Sequence, residues 1–202
     1  MIKGIIFDLG GVYFNNGLRL FMQELNQKYR IPNHLLRETL AGESPLGRSY
    51  RMGEISGSEF WHKAKEILGI HEDYHKLIQR WSEKYTPNKE VIVLVGKLAG
   101  AGFRLGYLSN NVPERADYLE KKFQFKKDFD TGVFSFEAKC LKPGLEIYRS
   151  VLEKMGLQPS ETIYVDDTEK FLAAAKTLGM GTILYEDPHS LELSLTSFGL
   201  TF

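Results

Sequence analysis

The stretch over residues 3–13 constrains the fold most, because a short apolar run there ends abruptly in a carboxylate and a glycine pair. Residues 5–7 (Ile-Ile-Phe) predict a buried strand, which places Asp8 at its carboxyl end. Ligands and catalytic groups in open α/β sheets collect outside the carboxyl ends of the strands. Asp8 is therefore positioned for function or, in the simpler interpretation, caps the turn after the strand.

Composition narrows the classes of protein and partner. With 202 residues and 43% hydrophobic content, the chain is long enough for one domain with a sizeable core, or for a domain carrying an insertion. Lys plus Arg and Asp plus Glu both number 26, so we expect no nucleic-acid partner and no membrane partner. The longest apolar run, Val91–Val95, is too short to cross a bilayer, and we expect a cytoplasmic protein. The single cysteine, Cys140, excludes an intramolecular disulfide.

Between residues 15 and 86 the apolar side chains recur at helical spacing, which predicts an all-helical block inserted after the first strand. The stretch from Gly42 to Gly57 shows no clear period, and we expect it to be irregular. The predicted helices cover Leu18–Tyr29, Leu35–Ala41, Phe60–Leu68 and Tyr74–Tyr85.

From Pro87 onward, strands and helices alternate. Val91 to Leu98 is β-branched in part, but the preceding proline, the following glycines and the period favour a helix. Pro143 is expected to pre-set a helix start, and the polar remainder from Glu186 is left unassigned. Predicted strands are Phe103–Leu108, Thr162–Val165 and Gly181–Leu184, with a short β segment or hairpin over Phe129–Phe136; predicted helices are Pro113–Phe123, Ile147–Met155 and Phe171–Leu178.

This alternation predicts an α/β fold, a doubly wound parallel sheet. We expect residues 1–14 and 87–202 to form the α/β core domain, and residues 15–86 to form a helical cap domain. Polar residues follow three of the strands: Asp8, Ser109-Asn110 and Asp166-Asp167. Parallel strand ends meet at one edge of a sheet, so these groups, together with Lys142, are expected to share one cleft.

Four motifs in this order resemble those of the haloacid-dehalogenase-like (HAD) hydrolase superfamily: Asp8 with Val12, Ser109 after a strand, Lys142-Pro143, and the acid pair Asp166-Asp167. The resemblance covers nearly the whole chain and implies a Rossmann-like core. The helical insert resembles the cap of the commonest subgroup. Residues 7–12 and 164–167 are most similar to the branch that holds alpha-glucose-1-phosphate phosphatase and the N-terminal phosphatase domain of soluble epoxide hydrolase.

The resemblance implies a phosphatase whose substrate is a small phosphorylated metabolite, sugar phosphates among the candidates. Asp8 would attack phosphorus and form an aspartyl-phosphate that water later hydrolyses. The implied cofactor is Mg²⁺, held by Asp8, the backbone carbonyl of Gly10 and Asp167, with Asp166 acting through a metal-bound water.

The same resemblance assigns the phosphate-binding groups. Ser109 and the backbone N–H of Asn110 would bind the phosphoryl oxygens, and Lys142 would place a positive charge beside them. The simpler alternatives are a cap for Ser109, a solvated charge for Lys142 and a helix N-cap for one member of the acid pair Asp166-Asp167.

One position departs from the family pattern. Most phosphatases of the superfamily carry a second Asp two residues after the nucleophile, as general acid and base, and here that residue is Gly10. An acid recruited from the cap, a water molecule, or a preference for good leaving groups are the alternatives. Four cap residues are candidates for substrate contact: Arg19, Arg48, Tyr50 and Arg51. Of these, Arg48 and Arg51 are predicted to bind substrate; the competing interpretation is that they are surface charges.

Two other functions compete. A metal-free 2-haloacid dehalogenase would use Asp8 to attack carbon, but Asp166 and Asp167 add negative charge that a carboxylate substrate would disfavour. A catalytically silent binding protein would need no general acid, although it would have no need of Asp8, Lys142 and Asp167 either.

Overall fold

The computed structural model describes residues 1–42 and 44–202. Its centre is a five-stranded, fully parallel sheet in the order β3-β2-β1-β4-β5. The central strand β1 is buried along its whole length, as expected for a parallel sheet covered on both faces. The strands are β1 (Gly4–Phe7), β2 (Arg104–Ser109), β3 (Thr131–Phe134), β4 (Thr162–Asp166) and β5 (Gly181–Leu184).

Eleven α-helices accompany the sheet within the described residues. The first five precede β2 without an intervening strand: α1 (Gly17–Tyr29), α2 (Asn33–Leu40), α3 (Pro45–Arg51), α4 (Gly57–Leu68) and α5 (Tyr74–Glu83). The others are α6 (Lys89–Gly100), α7 (Pro113–Phe123), α8 (Ser135–Ala138), α9 (Leu145–Met155), α10 (Glu169–Thr177) and α11 (Pro188–Ser197), with short 3₁₀ turns at Phe125–Asp128 and Pro159–Glu161.

Alternate residues of β1 face opposite layers. Ile5 and Phe7 belong to a large apolar cluster that includes Val91 of α6, whereas Ile6 belongs to a separate cluster that includes Ile147 of α9 and Leu172 of α10. The period-2 side-chain alternation of a strand therefore feeds two helical layers. The predicted doubly wound α/β fold is confirmed.

The helix over Val91 to Leu98 is also confirmed. Asn88 caps it by accepting a hydrogen bond from the backbone N–H of Val91, and Val91, Leu94, Val95 and Leu98 form its buried face. Capping and periodicity thus outweigh the β-branched content of the segment.

Two segments expected to lack regular structure are helical. Within Gly42–Gly57, whose residue Glu43 lies outside the described residues, α3 begins with Ser44 accepting from Gly47 N–H and with Pro45 at its first turn. After Glu186, α11 begins with Asp187 accepting from Ser190 N–H. Neither segment shows apolar residues at a clear helical spacing, so the caps at Ser44 and Asp187 did not predict a helix by themselves.

One further expectation is resolved and another is corrected. Of the two alternatives at Phe129–Phe136, the short β segment is confirmed as β3, and the hairpin is excluded because β3 pairs in parallel with β2, with Ser109 opposite Phe134. Pro143 does not begin a helix either: Lys142-Pro143 is a cis peptide bond, Gly144 is the cap and α9 begins at Leu145.

The five-helix segment leaves the sheet and returns to it at one point. Asn15 N–H donates to Thr86 O at 3.0 Å, and Asn88 N–H donates to Tyr13 O at 2.8 Å. Its interior is aromatic, with Phe21 stacked on Trp81 and edge-on to Trp61. The segment therefore emerges six residues after Asp8, beside the carboxyl end of β1. None of the helices among the described residues has the length and apolar character needed to span a bilayer.

Candidate active site

Polar residues at the carboxyl ends of three adjacent strands open into one cavity of about 590 Å³. β1 lies between β2 and β4 in the sheet, so Asp8, Ser109 and Asp166 come from neighbouring strand ends. The predicted residues that line this cavity are Asp8, Gly10, Ser109, Asn110, Lys142 and Asp167 on the sheet side, and Arg48 and Arg51 on the helical side.

Lys142 lies at the centre of the buried charges. Its Nζ donates to Asp8 Oδ1 at 2.8 Å, to Asp166 Oδ2 at 2.7 Å and to the Tyr164 hydroxyl oxygen at 2.8 Å. Burial acts to lower the pKa of Lys142, but Asp166 and Asp8 outweigh it and hold that pKa above its ordinary value. Lys142 is therefore a fixed cation beside Asp8 rather than a solvated charge.

Tyr164 completes this network and was missed from sequence. Its hydroxyl donates to Asp166 Oδ2 as well as accepting from Lys142. A signal for it exists in the chain, because residues two apart in a strand share a face, and Tyr164 stands two positions before Asp166 in β4.

Three carboxylates cluster at this site. Oxygen atoms of Asp8, Asp166 and Asp167 lie within 4.8 Å of one another, and Lys142 forms ion pairs with Asp8 and Asp166. The close approach of three carboxylates favours protonation or a bound cation. Burial raises the pKa of Asp8 to about 7, Lys142 opposes the rise, and Asp166 and Asp167 add to it. A hard divalent cation with oxygen ligands fits both the charge and the donor atoms.

The two acids of the pair have different surroundings. Asp166 is fully buried, and both of its oxygens are engaged: Oδ1 accepts from Thr168 N–H at 2.9 Å, and Oδ2 accepts from Lys142 and Tyr164. Asp167 lines the cavity, and Oδ1 accepts from the Thr168 hydroxyl at 3.0 Å. Asp167 is thus the acid available to a ligand, and Asp166 holds Lys142.

The second glycine of the pair after Asp8 is sterically required. Gly11 has φ +103°, and a Cβ at this position would lie 2.1 Å from Asp167 Oδ2. A side chain there would displace the Asp167 carboxylate. Gly10 differs, since its φ lies outside the left-handed region and a Cβ would be 3.5 Å from Cε1 of Tyr85, an ordinary contact.

Asn110 has a structural role that the sequence did not predict for its side chain. Its Nδ2 donates to Lys142 O at 3.1 Å, and its Oδ1 accepts from Lys142 N–H at 2.9 Å. The amide therefore fixes the main chain that carries the central lysine. Ser109, the last residue of β2, is buried and lines the cavity.

The candidate residues of the helical segment divide into two groups. Arg48 and Arg51 line the cavity, whereas Arg19 and Tyr50 are not among its lining residues. Arg19 is exposed, and the buried Tyr50 hydroxyl donates to Glu114 Oε2 at 2.8 Å. Lining residues that sequence reasoning missed include Asn16, Tyr85, Asn111, Arg115, Lys170 and Phe171. None of these belongs to a recognisable motif, so only tertiary contact reveals them.

With the geometry in hand, comparison with known proteins defines the class. The family model described as "Haloacid dehalogenase-like hydrolase" matches residues 5–185. The phosphorylated carbohydrates phosphatase of Thermotoga maritima is 35% identical over 94% of this chain and 87% of its own length. This chain belongs to the haloacid dehalogenase-like hydrolase family, as the four motifs predicted, and it is an enzyme of that family.

Two other matches bear on the finer expectations. Bifunctional epoxide hydrolase 2 of Sus scrofa is 24% identical over 92% of this chain, which spans 37% of that protein. A HAD family enzyme of Bacteroides thetaiotaomicron, solved with magnesium and inorganic phosphate, superposes with a TM-score of 0.74, covers 92% of this chain and 95% of its own, and is 24% identical. The predicted cofactor, Mg²⁺, agrees with that neighbour's bound metal.

Proposed function

We propose that this chain is a Mg²⁺-dependent hydrolase of small phosphate monoesters that forms an aspartyl-phosphate on Asp8. One observation carries the proposal: oxygen atoms of three carboxylates, Asp8, Asp166 and Asp167, lie within 4.8 Å of one another beside the buried Lys142, and Asp8 and Asp167 line the cavity. A dianionic phosphate would meet strong repulsion there unless a divalent cation were present. The similarity to the Thermotoga maritima phosphatase supports phosphorylated carbohydrates as the substrate class.

The residues that would hold Mg²⁺ are Asp8, Asp167 and the carbonyl of Gly10, with Asp166 one shell further out. Bound there, the ion would neutralise charge between the carboxylate and the phosphate. Asp167 lines the cavity, whereas both oxygens of Asp166 are engaged by other residues, which supports Asp167 as the direct ligand. Gly11 leaves the space in which the Asp167 carboxylate lies.

The remaining groups serve phosphoryl transfer. The Asp8 carboxylate attacks phosphorus, the bond from phosphorus to the ester oxygen breaks, and water then hydrolyses the acyl phosphate and regenerates Asp8. Lys142, at 2.8 Å from Asp8, favours the ionised form of that carboxylate by opposing the rise in its pKa, and supplies positive charge to the transferring group. Ser109 and the backbone N–H of Asn110 bind phosphoryl oxygens.

We also propose that residues 15–86 act as the cap domain over a core formed by residues 1–14 and 87–202. The paired exit and return of the segment beside Asp8 supports these boundaries. Its residues Arg48 and Arg51 reach the cavity. Tyr85, at the end of the segment, borders the site of the missing acid at Gly10.

The decisive experiment measures hydrolysis of p-nitrophenyl phosphate and of a panel of phosphorylated sugars with Mg²⁺, with EDTA, and with EDTA followed by excess Mg²⁺. We expect turnover that EDTA abolishes and Mg²⁺ restores. Chloropropionate with a halide-release assay is the parallel control. Undiminished phosphatase turnover in EDTA, or halide release without phosphatase activity, would contradict the proposal.

A further inference from the structure

Two buried arginines on the helical side of the cavity, Arg51 of α3 and Arg115 of α7, lack anionic partners among the described residues. Arg51 and Arg115 are 4% and 3% exposed, respectively, and both line the cavity. No carboxylate of the described residues lies within ion-pair distance of either guanidinium. Buried cations in proteins are normally paired, because an unpaired buried charge is costly.

The contacts that these arginines do make leave donors unused. Arg51 donates to the carbonyls of Leu40 at 2.7 Å and Gly47 at 3.4 Å. Arg115 donates through Nε to Asn111 Oδ1 at 2.7 Å, and its buried Nη1 has no hydrogen-bond partner within the described part of the chain. A guanidinium carries five N–H donors, so both groups retain capacity for an anion.

Aromatic rings hold the pair in place without neutralising it. The Arg115 guanidinium lies 4.4 Å from the Trp81 ring centroid and 4.8 Å from that of Tyr85, and Arg51 lies 5.7 Å from the Trp81 ring centroid. Cation–π contacts compensate only part of a buried charge. Burial and the neighbouring charge of Arg115 lower the pKa of Arg51 to about 10, which leaves it protonated at neutral pH.

The arginine pair is tied to the phosphate side of the cavity through a short stretch of chain. Asn111, the anchor of Arg115, follows Ser109 by two residues. Ser135 then joins both sides, since its hydroxyl donates to the carbonyl of Arg51 at 2.7 Å and accepts from Asn111 N–H at 3.1 Å. Both arginines and the phosphate-side residues Ser109 and Lys142 line the same cavity, so one ligand can contact both sides.

We propose that Arg51 and Arg115 form a second anion subsite. The substrate would then be a small phosphate monoester that carries a second oxyanion, which is either a carboxylate or a second phosphate. This inference rests on the proposed function for the location of the reacting phosphate. Guanidinium groups bind both oxyanions, often through paired N–H donors. The subsite would select among phosphate esters, while the sheet side performs chemistry common to them.

The test compares ligands that differ only at the far end. Calorimetry with Mg²⁺ on the Asp8→Asn protein, which cannot turn over, would measure Kd for the monophosphates of ethylene glycol and propanediol, the corresponding phospho-carboxylic acids and the corresponding bisphosphates. We expect at least one anionic series to bind about 10- to 100-fold more tightly than the neutral series, the usual scale for hydrogen bonds to charged groups. The tighter series identifies carboxylate or phosphate as the preferred group.

Arg115→Gln and Arg51→Gln in the same background should each reduce this preference to about threefold or less. Arg19→Gln is the matched control, because Arg19 lies outside the cavity, and it should retain the full preference. Circular dichroism checks that the variants fold. The comparison of neutral with anionic ligands on the Asp8→Asn protein keeps both arginines, so it tests the subsite even if an arginine variant does not fold. Equal Kd for neutral and anionic series at both lengths would overturn the subsite. Absence of wild-type turnover on every ester would instead refute the proposed function.

Discussion

The two walls of the cavity handle charge in opposite ways. On the sheet side, Lys142 contacts Asp8 and Asp166 within 2.8 Å, and oxygen atoms of Asp8, Asp166 and Asp167 cluster within 4.8 Å of one another. On the helical side, Arg51 and Arg115 contact carbonyls, an amide and aromatic rings, and the excess charge is positive. The first arrangement requires a cation and the second an anion, so each wall is completed by a different part of a metal and substrate complex.

This difference separates chemistry from selection. Groups on the sheet side are fixed by one another, which suits a reaction whose demands do not vary with substrate. The arginines are fixed by main-chain and aromatic contacts, so their unused donors remain for whatever ligand enters. The following changes test that division, beginning with the largest expected effect.

Asp8→Asn should remove turnover of p-nitrophenyl phosphate by roughly 10³-fold or more, because the amide is nearly isosteric but is not a nucleophile. Steady-state kinetics with Mg²⁺, accompanied by circular dichroism, checks this expectation. Near-wild-type rates in a folded variant would show that another residue attacks phosphorus, and the sheet side would lose its assigned role.

Asp167→Asn should weaken Mg²⁺ binding more than Asp166→Asn does. Asp167 faces the cavity, whereas both Asp166 oxygens are engaged by Thr168, Lys142 and Tyr164. Loss of a group one shell out usually costs about 10- to 100-fold in metal affinity or activity, and the direct ligand should exceed that. Calorimetric titration of both variants with Mg²⁺ measures the ranking, and a reversed order would exchange the two roles.

Gly11→Ala should reduce Mg²⁺ affinity by about 10- to 100-fold, the scale of a misplaced metal ligand. Its Cβ would lie 2.1 Å from Asp167 Oδ2, in addition to the backbone strain at φ +103°. Gly69→Ala is a matched control, because Gly69 has φ +64° but no atom within 4 Å of its Cβ position. That control should lower thermal stability while leaving the Mg²⁺ titration unchanged. Equal Mg²⁺ affinities in the two variants would disprove the steric argument.

Gly10→Asp tests the position, next to Tyr85, where the family's general acid is missing. A Cβ at residue 10 meets only Cε1 of Tyr85 at 3.5 Å, so the backbone and the space admit a side chain. Positioned general acids contribute about 10²- to 10⁴-fold when optimal, and we expect a smaller gain, confined to alkyl phosphates with poor leaving groups. Gly10→Asn supplies the same bulk without an acid. A gain with Asn, or an equal gain on p-nitrophenyl phosphate, would rule out leaving-group protonation as the missing step.

Much of the fold was readable from the chain because its signals are local. Capping residues, glycine stops and the 3.6-residue period mark α6, α9 and most other helices. The missed helices α3 and α11 have caps at Ser44 and Asp187. Helix α3 has only seven residues, and the leucines of α11 stand at every second position, 191, 193 and 195, which is not a helical spacing. The parallel pairing of β3 was undecidable locally, since a four-residue strand gains its direction from its neighbour β2.

The sequence by itself determined the family, the parallel sheet and the residues placed at its strand ends, because motif chemistry and strand position are written in consecutive residues. The resemblance predicted Asp167 as the direct ligand of the pair, but only the tertiary structure decided how the two acids are held: Asp167 lines the cavity, and Asp166 is bound to Lys142. The tertiary structure also decided that Tyr164 contacts Lys142 and that Arg115 and Arg51 both lie over the ring of Trp81. Those contacts join residues that are far apart in the chain, and the spacing of residues along the sequence does not predict which of them come together.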